Sequence, residues 1–177
     1  IKGSAINFYG EGLTAEEVDV FYAQIETDKN QPIEKGLNSQ LVKENGEVKE
    51  KVWKSNGMYG AAIDKIIYWL NEAKEVTEND AQKKGLELLI EYYATGDLKI
   101  WDEYNIVWAT STDGDIDYIN GFIEVYNDPK GYKGSYESVV QIKDFEMSKK
   151  MAALAENAQW FEDNSTLDSS HKKENVV

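Results

Sequence analysis

The chain contains no cysteine and no arginine, and it has a single histidine, His171. Without cysteine there are no disulfides, no thiolate metal sites and no cysteine nucleophile. That composition suits a reducing compartment, and a cytoplasmic location is the expectation. All 19 basic residues are lysine, and against 33 acidic residues they leave a net charge of −14. Nucleic acid is therefore not an expected partner, because neutralising phosphates takes clustered Lys or Arg. An acidic surface is either a solubility feature or a match for a cationic ligand, such as the free amino terminus of a peptide. One histidine in a polar stretch makes a serine-type triad hard to assemble. No apolar run approaches the roughly 20 residues that cross a bilayer, so no membrane partner is expected. The chain begins at Ile1 rather than Met, carries no basic-then-apolar leader, and ends at Val176-Val177 without a terminating signal. Both ends read as cut.

What is present is enough apolar residue for a packed core, 41% over 177 positions. One domain or lobe is expected over residues 1–177, with the polar stretch 164–177 as a loose tail. Ala5 to Gly10 reads as an extended piece ending in a turn. Thr14-Ala15-Glu16-Glu17 is a capping box, followed by Val18, Phe21, Tyr22 and Ile25 on one helical face. Asn45-Gly46 between the strand-like runs Leu37–Lys43 and Val48–Lys54 predicts a hairpin. Ala62, Ile63, Ile66, Ile67, Leu70 and Ala73 predict a helix, and a second runs from near Asn79 to a stop at Gly96. From Asn105 the period changes to two, predicting strands at Ile106–Thr110, Ile116–Tyr126 and Lys133–Ile142. These are joined by an Asp113-Gly114 turn and a loop at Asn127–Gly131. Met147, Met151, Leu154, Ala158 and Phe161 mark a final helix. Five antiparallel strands with helices around them make the expected class α+β.

Along Ile116–Tyr126 one face receives Asp117, Ile119, Gly121, Ile123 and Val125 and reads as core apart from its Asp117 end. The other receives Tyr118, Asn120, Phe122, Glu124 and Tyr126, a mixture suited to a cleft floor. If Tyr126 pairs with Ser135, Glu124 lies opposite Glu137. Like charges so placed repel, unless a cation such as a peptide α-ammonium sits between them. Two acids on neighbouring strands can equally be a solvated edge.

The run Gly121-Phe122-Ile123-Glu124-Val125-Tyr126-Asn127-Asp128-Pro129 is followed by Gly131, Gly134, Tyr136-Glu137 and Ser138-Val139-Val140. It closely resembles the signature hairpin of the dipeptidyl peptidase III family of zinc exopeptidases. Asn157-Ala158-Gln159-Trp160-Phe161-Glu162-Asp163 resembles that family's bacterial branch. The resemblance is strongest from Tyr118 to about Lys173, weaker from Met58 to Gly96, and faint before Gly57. It implies a barrel-like five-stranded antiparallel β core in the lower lobe of a two-lobed peptidase, to which substrate adds as an extended strand. It implies that Tyr126 donates a hydrogen bond to the scissile carbonyl as that oxygen becomes an oxyanion. It also implies that Glu124 and Glu137 hold the substrate's free N-terminus. Asn120, on the Glu124 face, is a further substrate-binding candidate. Many relatives carry a basic residue where Asn127 stands.

The family's zinc ligands, a helix with H-E-x-x-x-H and a downstream Glu, have no counterpart here. The chain holds no His-Glu pair, and His171 in its polar setting reads as solvated. The resemblance implies a zinc cofactor in the full-length enzyme and a missing zinc-binding lobe of the same polypeptide beyond Val177 as partner. This chain alone is then expected to be inactive. A non-catalytic peptide-binding module built on the same β core is the alternative. A third reading takes Asp113, Asp115, Asp117 and Glu124 at positions 1, 3, 5 and 12 of a calcium loop. Against it, Tyr118 stands where that loop needs Gly.

Overall fold

The Thr14 side chain accepts the Glu17 amide at 3.2 Å while Glu17 takes the Thr14 amide at 3.0 Å. This reciprocal cap starts helix α1, Ala15–Ala23. The structure, a computed structural model, describes residues 6–26 and 34–176. Two compact units are present: one takes the chain up to Gly114 together with Tyr118–Val140, the other Asp115–Asp117 and Gln141 onward.

In the first unit, strand β1 (Ser39–Glu44) pairs antiparallel with β2 (Glu47–Val52), in register from Ser39↔Val52 to Glu44↔Glu47. Between them Asn45 and Gly46 take φ of 53° and 85°, the doubly left-handed backbone of a tight hairpin turn. The expected extended piece before α1 is shorter than predicted. Ala5 lies outside the described residues, Ile6–Phe8 forms a 3-10 turn, and only Tyr9 bridges to Leu41 in parallel.

Helices α2 (Gly60–Lys74) and α3 (Asp80–Thr95) follow the predicted periods. Asn79 caps α3, and Gly96 ends it at φ 76°. Asp97 then caps α4, Leu98–Thr110, by accepting the Lys99 amide at 2.8 Å. The expected strand at Ile106–Thr110 is therefore the C-terminal half of a helix. Ile-Val-Trp-Ala-Thr is β-branched and aromatic enough to read as strand by itself. The phase is set earlier, by Trp101 and Tyr104, which are buried, and α4 packs on the core through them.

The main core joins Phe8, Leu37, Trp53, Ile63, Leu88, Leu89, Tyr92, Tyr93, Trp101, Tyr104 and Phe122. A smaller cluster under α1 joins Leu13, Val18, Tyr22 and Leu41. Strand β3 (Ile116–Glu124) pairs with β4 (Ser135–Ile142) as a second two-stranded sheet. Gly121 of β3 faces Trp101, and a Cβ there would collide with the indole ring. The class is α+β as expected. Among the described residues, however, the strands number four, in two separate sheets, rather than five in one.

In the second unit Asp144 caps α5, Phe145–Glu156, and α6 follows at Ala158–Asp163. The single predicted helix is split at Asn157, whose φ is −105° and whose side chain donates back to the Ala153 carbonyl at 2.8 Å. None of the residues of α5 or α6 is buried. Among the described residues no helix is long and apolar enough to cross a membrane.

Candidate functional site

Strand β3 ends at Glu124, so Tyr126 is not in a strand as predicted but in the turn that follows. The Asp128 amide donates to the Val125 carbonyl at 2.9 Å, closing a four-residue turn with Tyr126 and Asn127 at its centre. Tyr126 is 74% exposed there. The Asn127 amide donates to the Ser135 hydroxyl at 3.0 Å.

Asn120 sits inside the strand with its amide fully engaged. Its oxygen accepts the Tyr93 hydroxyl at 2.5 Å, and its nitrogen donates to Ser138 Oγ at 3.1 Å and to the Tyr136 hydroxyl at 3.3 Å. Phe122 is buried, 4.7 Å from Trp53 and 5.6 Å from Tyr136 between ring centroids. The predicted open cleft floor is closed at Phe122, which is buried, whereas Tyr118 and Asn120 stand half-buried and Tyr136 is 44% exposed. Of that face, Glu124 stands half-buried next to the turn that exposes Tyr126.

These contacts also set the register. Asn120 and Phe122 meet Tyr136 and Ser138, so even-numbered residues of both strands share a face. Glu137 therefore leaves β4 on the face opposite Glu124, and the expected Glu124–Glu137 facing pair is not formed. The expectation assumed that the ladder runs symmetrically into the loop, whereas residues 125–134 fold into turns of their own. On β4, Val139 and Val140 are exposed, 43% and 67%, and Glu137 is half-buried.

The groups that hold this loop are absent from the sequence expectations. Asp128, buried, accepts the Tyr9 hydroxyl at 2.7 Å and the amides of Lys130, Tyr132 and Lys133 at 3.0, 2.8 and 2.9 Å. The Lys133 ammonium, 0% exposed, donates to the Tyr22 hydroxyl, to the Gly36 carbonyl at 3.1 Å and to Ser39 Oγ at 2.8 Å. It lies 3.5 Å from the Glu50 carboxylate and 4.9 Å from the centre of the Tyr22 ring, which itself stacks on Tyr132 at 4.2 Å. Burial pulls the Lys133 ammonium down to about 8, against the opposing pull of Glu50. Burial, and then Asp128, push the Tyr9 phenol far above its ordinary range. Burial and Glu50 do the same to Tyr22. Asp-Pro in a turn-forming run does signal a side-chain-capped loop. A fully buried lysine leaves no local signal.

No group of three or more His, Cys, Asp or Glu side chains among the described residues could hold a metal ion. His171 lies in a short 3-10 turn at Ser169–His171. Asp113 and its neighbours do not form a calcium loop, because Ile116–Glu124 is strand and Asp115 pairs with Lys143 at 3.2 Å. The described residues do not fit zinc.

The fold is that of dipeptidyl peptidase III. Over 97% of the chain it superposes on the dipeptidyl peptidase III of Caldithrix abyssi with a TM-score of 0.71 and 22% identity. On the enzyme from Corallococcus sp. strain EGB the TM-score is 0.64, also at 22% identity. The chain covers 32% and 31% of those two proteins. Residues 12–167 match the profile of Peptidase family M49, and the chain belongs to that family. Curated relatives include dipeptidyl peptidase 3 of Homo sapiens, 28% identical over 59% of this chain, and of Nematostella vectensis, 27% identical over 70%. The aligned stretches amount to 14% and 17% of those relatives' own lengths. The family expectation from the hairpin motif is borne out.

Proposed function

We propose that this chain is the substrate-binding and oxyanion-stabilising part of a zinc-dependent dipeptidyl peptidase that removes dipeptides from the N-termini of short oligopeptides. The observation that carries the reading is Tyr126, held outward at the centre of a closed turn directly after Glu124. An exposed phenol carried on a closed backbone turn is an O–H donor open to a bound substrate. Aimed at a scissile carbonyl, it stabilises the oxygen more as negative charge develops than before, and that difference is what lowers a barrier. Glu124 supplies a carboxylate for the substrate's α-ammonium. Glu137, on the other face of β4, serves the N-terminus only through a partner strand or a second contact. Asn120 positions Tyr136 and Ser138 and reaches substrate only if that network opens. The exposed β4 supplies backbone for strand addition. The two hairpins enter a five-stranded β core in the complete enzyme, which works in the cytoplasm. Zinc, held elsewhere in the polypeptide, would supply a Lewis acid for the attacking water. Its ligands belong to the remaining lobe of the polypeptide, and without that lobe this chain is inactive.

The test uses the complete reading frame that contains this chain, wild type and Tyr126→Phe. Zinc content is measured together with dipeptide release from a short peptide, with free and blocked N-termini. The expected result is zinc-dependent release that is lost on blocking and reduced about 10²-fold by the substitution. A zinc-free, inactive complete protein that still binds peptide would sink the enzyme.

A further inference from the structure

The loop bearing Tyr126 is held by more than its own strands: beside the Asn127–Ser135 bond, it is tied to the first half of the chain. Asp128 and Lys133 are buried charges within it, and each has at least one partner from the chain's first half. The Asp128 carboxylate takes three amides of its own loop and one hydroxyl from outside, that of Tyr9. The Lys133 ammonium takes its partners from α1, from Gly36, from β1 and from β2, through Tyr22, Ser39 and Glu50. Lys130 adds a tie to Asp19 of α1 at 2.7 Å, and the Gly134 amide donates to the Leu37 carbonyl at 2.8 Å.

Apolar side chains would close such a loop with less desolvation. A fully paired buried charge contributes less to net stability than to the uniqueness of one geometry. The geometry so specified is that of residues 125–134, and within them the one outward reactive group is Tyr126. We propose that Asp128, with Tyr9 as its outside donor, and Lys133, on the Tyr22–Ser39–Glu50 cradle, are positioning residues. They hold the Tyr126 phenol where the developing oxyanion forms. The first half of the chain is then the rigid platform of the catalytic tyrosine. Misplacing an aligned group by about 1 Å can cost about 10²-fold in rate, so a hydrogen bond two residues from Tyr126 reaches the chemistry without touching substrate. This inference rests on the role proposed for Tyr126.

The experiment is a set of double-mutant cycles in the complete protein: Asp128→Asn and Tyr9→Phe, each alone and combined with Tyr126→Phe. They are followed by steady-state release of dipeptide and by amide exchange over residues 125–134. Asp128→Asn is expected to lower kcat roughly tenfold and Tyr9→Phe roughly threefold, with KM within about twofold of wild type, because the pins act on alignment rather than on binding. In the Tyr126→Phe background both effects shrink to within about twofold, since the group they align has lost its hydroxyl. Faster amide exchange is expected in the loop and not in α3. Tyr9→Phe removes one hydroxyl outside the loop and carries the cycle if Asp128→Asn does not fold. Equal losses in both backgrounds, or wild-type kcat in a folded Asp128→Asn protein, overturn the positioning role while leaving Tyr126 catalytic. An inactive complete protein, or a Tyr126→Phe protein as fast as wild type, overturns the proposed function and this inference with it.

Discussion

The molecule holds two antiparallel hairpins made by different means. In β1–β2 the connection is Asn45-Gly46, whose left-handed backbone matches the twist of the strands and sets the register locally. In β3–β4 the connection runs through residues 125–134, and beside its internal bonds it is held by Tyr9, Asp19, Tyr22, Leu37, Ser39 and Glu50. The turn of the first hairpin is specified by two adjacent residues. The second needs the rest of its unit, and it is the one that carries the candidate site. A short turn leaves no room to present a side chain, whereas a long loop presents one only if something else fixes it.

Lys133→Met breaks this comparison most severely. It leaves Glu50, Ser39 and Tyr22 without their shared donor, at about 3 kcal/mol of stability at pH 7 by chemical denaturation. Because burial lowers the Lys133 ammonium to about 8 from its unfolded 10.5, the unfolded chain binds more protons between those values. Wild-type stability therefore rises relative to Lys133→Met as pH climbs through that window, and the difference in unfolding free energy should grow. A difference that is flat or shrinking there would show that Lys133 is not a buried ammonium. Gly121→Ala comes next, at about 2 kcal/mol, since the added methyl meets the Trp101 ring. It should appear as a lower thermal midpoint with altered indole fluorescence. Gly46→Ala should cost only about 1 kcal/mol, because φ 85° is strained for alanine while open space surrounds the position. It should leave amide exchange over residues 125–134 unchanged. If it loosens that loop, the two hairpins are coupled and the contrast between them fails. Smallest is Thr14→Ala, about 1 kcal/mol or less for the lost cap, read as fraying of α1 and a modest loosening of the Lys130–Asp19 tie.

Elements whose signals are local are legible in the sequence. The Thr14 capping box, the Asn45-Gly46 turn, the Asn79 cap and the Gly96 stop all rest on contacts within a few residues. Ile106–Thr110 misleads because a five-residue window carries strand propensity, while the helical phase comes from Trp101 and Tyr104 docking on the core. The candidate site is half legible. The motif around Tyr126 singles out a candidate, but the assumed pairing of Tyr126 with Ser135 sets Glu124 opposite Glu137, and contacts across the sheet give a different register.

Composition by itself decided that this chain has no thiol chemistry, because cysteine is missing. The hairpin motif by itself decided the family. Only the tertiary structure decided which way Tyr126 points and what keeps it there. A buried lysine and a buried aspartate look on paper like any other charged residues. Their meaning depends on donors and acceptors that lie far away in the chain and meet them only when it folds.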